Sequence, residues 1–185
     1  MTVPTDPYVR DPMRLIEAEA WVIARLGATP RAEHSRFAGN LMRRLGERLA
    51  PEEAELWEIT GLLHDLDYFI VDGDWHIHGR TTAAWLDGRL PLRAMLAIAA
   101  HDHRSGIVSD APMSQALRLA DALANLDQQA GRKETMAALN AGTPEAFVGE
   151  RSYLAQMVVS LAASLGFALE ALALILATLP EQGPG

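Results

Sequence analysis

Apolar side chains in this chain recur at three- and four-residue steps in one segment after another, and no segment alternates at two-residue steps. A half-buried strand needs the short period and an α-helix the long one, so the pattern predicts an all-α protein. Start and stop signals divide it into helices. Asp11-Pro12 opens the first, with Leu15, Ile16, Ala20, Ile23 and Leu26 as its apolar side and Gly27 as its stop. Thr29 and Pro30 supply an N-cap and a first-turn proline for a second helix, which runs to about Leu49 on the stripe Phe37, Leu41, Leu45 and Leu49. A third begins near Pro51, where Glu52, Glu53 and Glu55 load its positive end, and buries Leu56, Ile59, Leu63 and Leu66.

Asp72-Gly73-Asp74 reads as a turn. From His78 a helix continues through Thr82, Trp85 and Leu86 to Gly88, and another starts at Pro91 and ends on His101. Ser109 or Asp110 caps the next, whose inner face is Met113, Leu117, Ala120 and Ala124 and whose end is Gly131. A short helix over Glu134 to Leu139 precedes an apolar pair split at Leu165-Gly166. The 185 residues suit one domain: an extension at 1–11, a helical domain at 12–180 with its motif region at 33–127 and C-terminal helices at 150–180, and a tail at 181–185.

A net charge of -8 argues against general nucleic-acid binding, which needs a basic face. An acidic chain that handles phosphates needs a cation to receive them. The absence of cysteine excludes disulfides, thiolate zinc sites, iron–sulfur clusters and a cysteine nucleophile, and fits a cytoplasmic location. The N-terminal segment is Pro-rich and lacks the apolar core of a secretory signal. From Tyr153 to Pro180 the sole charge is Glu170, a length that could pass for a membrane tail. Gln156, Ser160 and Ser164 punctuate it at helical intervals, so two packed helices and no membrane span are expected. Their apolar surface is large for a small domain; packing over the bundle is the first account of it and a homodimer interface the second.

Against this apolar background several titratable side chains stand on inward or helix-end positions. His34 shares the buried side of the second helix, His64-Asp65 ends the third, His78 and His101 lie at helix ends, and Asp121 interrupts an inner face. Thr60 and Gly61 leave room beside His64 for an ion or another helix. Taken singly, each histidine is more simply a core residue bonded to a carbonyl, and His64-Asp65 a satisfied pair at a frayed helix end. Taken together they are too costly to bury without a cation, because unpaired polar groups and carboxylates in an apolar interior each cost several kcal/mol.

The wording GLLHDLDY, HIHGRTTAAWL, AIAAHDH and LRLADALANL, in this order, resembles the HD-domain superfamily of metal-dependent phosphohydrolases over about Glu33 to Asp127. The resemblance implies an HD-like helical bundle with His34, His64, Asp65 and Asp121 as metal ligands. Members that hold two metals add two histidines between the pair and the last aspartate, and His78 and His101 stand there, with His76 and His103 as the competing choices. Asp65 would then bridge two ions. Members with HDIGK-like wording carry a glycine and a lysine after the pair, where this chain has Asp67 and Tyr68. That departure weighs against a cyclic-dinucleotide phosphodiesterase.

Imidazole and carboxylate ligands without thiolate favour one or two ions of manganese, iron, cobalt, nickel or zinc. Such an ion lowers the pKa of bound water and offers charge to a phosphoryl oxygen, so the expected reaction is hydrolysis of a phosphoester in a small phosphorylated metabolite. Asp65 and Asp67 are the catalytic candidates, Asp67 as a general acid or an outer partner of a ligand. Arg80, His103 and Arg104 are the candidates for substrate phosphate. Two rivals use the same ligands: a mixed-valent di-iron oxygenase, and a regulatory domain that binds metal without turnover.

Overall fold

The computed structural model describes residues 6–142, 147 and 149–182, so the first residues of the extension and most of the tail lie outside it. Among the described residues there are nine α-helices and no strand. They are α1 (Leu15–Leu26), α2 (Pro30–Leu49), α3 (Ala54–Leu63), α4 (Arg80–Trp85), α5 (Leu92–Ala99), α6 (Pro112–Ala130), α7 (Arg132–Ala141), α8 (Glu150–Ser164) and α9 (Leu169–Ala177).

Helix α2 starts where its signals place it: Thr29 accepts a hydrogen bond from the Ala32 amide and Pro30 fills the first position. Pro51 opens a single 3₁₀ turn, Pro51–Glu53, before α3 becomes regular. Gly39 faces Leu62, and Gly46 faces Ala54 and Trp57, so α2 and α3 run antiparallel in close contact. Gly61 lies closest of all, since a Cβ there would meet the Ala38 carbonyl at 2.8 Å and the Gly39 Cα at 2.9 Å. The space beside His64 is therefore taken by a helix backbone. This crossing sets His34 of α2 against the end of α3.

Helix α6 runs through the core, with Leu117, Leu119, Ala120, Leu123 and Ala124 fully buried, and packs on α2, α5 and α8. The C-terminal pair closes over this bundle: α8 lies on α6, and α9 on α7. Arg132 ties its end down, pairing with Asp127 at 2.5 Å and donating to the carbonyls of Leu176 and Leu179 at 2.6 and 3.0 Å. Tyr153 and Leu174 remain exposed. No single described helix is long and apolar enough to cross a membrane; α8 and α9 pass that test only together, and they bend by 107°.

Several local expectations are corrected. Helix α1 buries Ala18, Val22 and Leu26, whereas Ile16 and Ile23 are 74% and 61% exposed. Both sets keep helical spacing, and the smaller side chains lie on the face that packs against α3. His78 lies in a turn, and α4 begins only after Gly79. Ala111 is the N-cap of α6, while Ser109 uses its hydroxyl on Ser114. The short helix expected at 134–139 is the full Arg132–Ala141.

Because backbone lies against Gly61, Gly61→Ala is expected to force α2 and α3 apart and cost about 1–3 kcal/mol. Thermal unfolding beside the wild type checks this; an unchanged melting temperature would contradict the packing described.

Candidate metal centre

Helix α3 stops on His64, whose Nδ1–H donates to the Gly61 carbonyl at 2.7 Å. The Nε2 lone pair is thereby turned inward, 3.3 Å from Asp65 Oδ2 and 3.7 Å from Asp121 Oδ1. His101 repeats the device beyond α5: Nδ1–H donates to the Ile98 carbonyl at 2.7 Å, and Nε2 faces Asp65 Oδ1 at 3.5 Å. In His78, Nδ1–H donates to Asp67 Oδ1 at 2.8 Å, and Nε2 stands 3.2 Å from both Asp65 Oδ1 and His101 Nε2. His34 presents Nε2 at 3.0 Å from Asp121 Oδ1 and 3.7 Å from Asp65 Oδ2.

Asp65 thus divides the cluster. Its Oδ2 faces His34 and His64, and its Oδ1 faces His78 and His101. Each triad has its ligand atoms close enough to share one ion. All five residues are buried, while the Asp121 side chain is 24% exposed. Gly79 lets the two turns that carry the second triad meet: its φ is +71°, and a Cβ there would meet the Ile98 carbonyl at 2.4 Å and His101 Nδ1 at 3.0 Å.

The donor set fits a metal. Three imidazoles spend their Nδ1–H groups outward, so in the neutral rings Nε2 would face carboxylate oxygens or one another, acceptor against acceptor, unless a proton or a metal ion lies between. His64 Nε2 has no hydrogen-bond partner. A buried set of this composition could hold a metal ion between its members.

Charge follows the same logic. Burial opposes ionisation of Asp65, yet His64, Arg31, His101 and His78 overcome it and hold the carboxyl well below its ordinary range. Asp121 is also pulled far down, burial again being outweighed, here by His34 and His64. Burial alone would keep His78 neutral, but Asp65 and Asp67 push it up to about 10. His34 goes the other way, because burial outweighs its carboxylate neighbours.

The other expected residues divide. Asp67 is fully buried; its Oδ2 accepts from the Thr82 amide at 3.1 Å, so with His78 on Oδ1 both its oxygens are engaged. Arg104 pairs with Asp102 and lies 3.7 Å over Trp75, whose ring meets His78. Arg80 and His76 are exposed, and His103 is exposed beside Tyr153. Sequence reasoning missed Arg31, whose Nη1 donates to Asp65 Oδ2 at 2.8 Å while its guanidinium lies 3.9 Å over Tyr68. Its spacing, one helical turn before His34, was the available signal.

The helices close imidazoles and carboxylates on one buried aspartate, a group that could hold a metal ion. The model of the HD domain family matches residues 31–126, more than half of the chain. The chain belongs to the HD domain family, whose members are mostly metal-dependent hydrolases. No curated protein and no solved structure matches it.

For protein stripped of metal by chelation, these charges predict a pH window. His78 contributes stability that is complete below its ordinary 6.5 and lost as pH rises through about 10. Asp65 and Asp121 contribute stability present above their ordinary 3.8 and lost as pH falls below it. The free energy of unfolding should therefore peak between these limits and decline toward alkaline pH by an amount on the order of a few kcal/mol, with the melting temperature falling alongside. A flat profile from about pH 6 to pH 10 would contradict the assignment.

Proposed function

We propose that the chain is a metal-dependent phosphohydrolase acting on a phosphoester of a nucleotide or another small phosphorylated metabolite. The observation that carries this reading is the division of Asp65, one oxygen toward His34 and His64 and the other toward His78 and His101. His34, His64, Asp65 and Asp121 would hold one divalent ion, and Asp65, His78 and His101 a second, with manganese, iron, cobalt, nickel and zinc all suited to the donors. The ions supply Lewis acidity and bring the pKa of water toward neutrality.

The remaining roles fall to this chain's own side chains. Asp67 accepts from the His78 ring and from the Thr82 amide, so it positions His78 and fixes which ring nitrogen faces inward. Arg31 on Tyr68 and Arg104 on Trp75 are planar cations held on aromatic rings, the form suited to gripping phosphate oxygens. A recess of about 480 Å³ lined by Thr29, Arg31, Tyr68 and Gln128 can take the rest of the substrate. His103 and Arg80 would reach only parts of a substrate that extend into solvent.

Elemental analysis of protein purified without added metal, paired with a phosphoester screen, tests this. Two ions per chain and oxygen-independent turnover are expected. Asp67→Asn is expected to lower metal affinity or activity about 10–100-fold, as loss of a ligand's orienting partner does. Bound metal without turnover of any phosphoester would favour a regulatory domain, and an iron-dependent visible spectrum with oxygen uptake would favour the oxygenase.

A further inference from the structure

Among the described residues, Arg31 is the guanidinium that hydrogen-bonds a proposed ligand. Its Nη1 lies 2.8 Å from Asp65 Oδ2, nearer than either His34 or His64, whose Nε2 atoms stand 3.7 and 3.3 Å from the same oxygen. The side chain is 21% exposed and lies flat on Tyr68, so it is held there and does not merely drift past. Its charge also falls on Asp121, the other acid of the same half of the centre. Among the described residues no guanidinium reaches Asp65 Oδ1, where the rings of His78 and His101 stand.

We infer that Arg31 is a tethered competitor of the metal: its guanidinium contests Asp65 Oδ2 with the ion of the His34–His64 half and so weakens that ion's binding. The inference rests on the reading of the cluster as a metal centre. Two physical consequences pull in opposite directions. A fixed positive charge a hydrogen bond away from a ligand oxygen repels a dication, so removing it tightens metal binding. The same charge compensates a buried carboxylate, so removing it destabilises protein that holds no metal. A side chain that merely braces the ligands would lower both quantities together. The competition is confined to one half of the centre, so loading of the His78–His101 half should respond weakly.

The experiment is calorimetric titration of chelator-stripped protein with Mn²⁺, paired with thermal unfolding of the same stripped samples. Arg31→Gln should raise the affinity of one of two ions by about ten-fold or more while lowering the metal-free melting temperature. Arg31→Lys keeps the charge but loses the flat fork that stacks on Tyr68, and should give a smaller gain in affinity. If the Gln variant does not fold, the Lys variant against wild type decides. Metal affinity unchanged or reduced in the variants overturns the inference and leaves the centre standing. A wild type that binds no Mn²⁺ or other divalent ion overturns the metal reading itself.

Discussion

The arrangement on which the rest depends is a confrontation of acceptors. Around Asp65, the Nε2 atoms of His64, His78 and His101 stand 3.2 to 3.5 Å from its carboxylate oxygens, with their Nδ1–H groups already spent on carbonyls or on Asp67. Such an arrangement is unfavourable in a dry interior unless positive charge sits inside it. Arg31 and a protonated His78 supply some of that charge from within the chain, and the ligand types suit a divalent ion for the rest.

The fold can be understood as the means of holding these groups in place. Glycines on facing sides of α2 and α3 bring the two backbones together, and this fixes His34 against His64. The end of α3 turns Asp65 toward both halves. Helix α6 brings Asp121 from the far side, and its apolar residues are the core against which α2, α5 and α8 pack. The C-terminal pair covers that core away from the centre, where Arg132 stitches the end of α9 back to α6.

Much of this was legible in the chain itself. The long helices announced themselves because cap, first-turn proline and stripe agree, as Thr29, Pro30 and the Phe37–Leu45 series do. The polar residues of the centre stood out because they occupy positions where packing asks for an apolar side chain. What escaped has identifiable causes. In α1 two apolar stripes have the same period, and only the neighbouring helices decide which is buried. His78 sits in a turn whose neighbours are distant in sequence: its ring donates to Asp67, and Gly79 lies against the Ile98 carbonyl, which local pattern does not register. Arg31 looks like any charged residue in a first helical turn, because its partner lies far along the chain and is brought near only by the α2–α3 crossing.

The two halves of the centre are mounted differently, one on paired helices and one on turns. His34 and His64 hang on helices whose main chains touch, so their separation is set by a contact with no slack. His78 and His101 hang on turns that meet at Gly79. Insertions or deletions between Tyr68 and Gly79 would thus redraw one half while leaving the other in register.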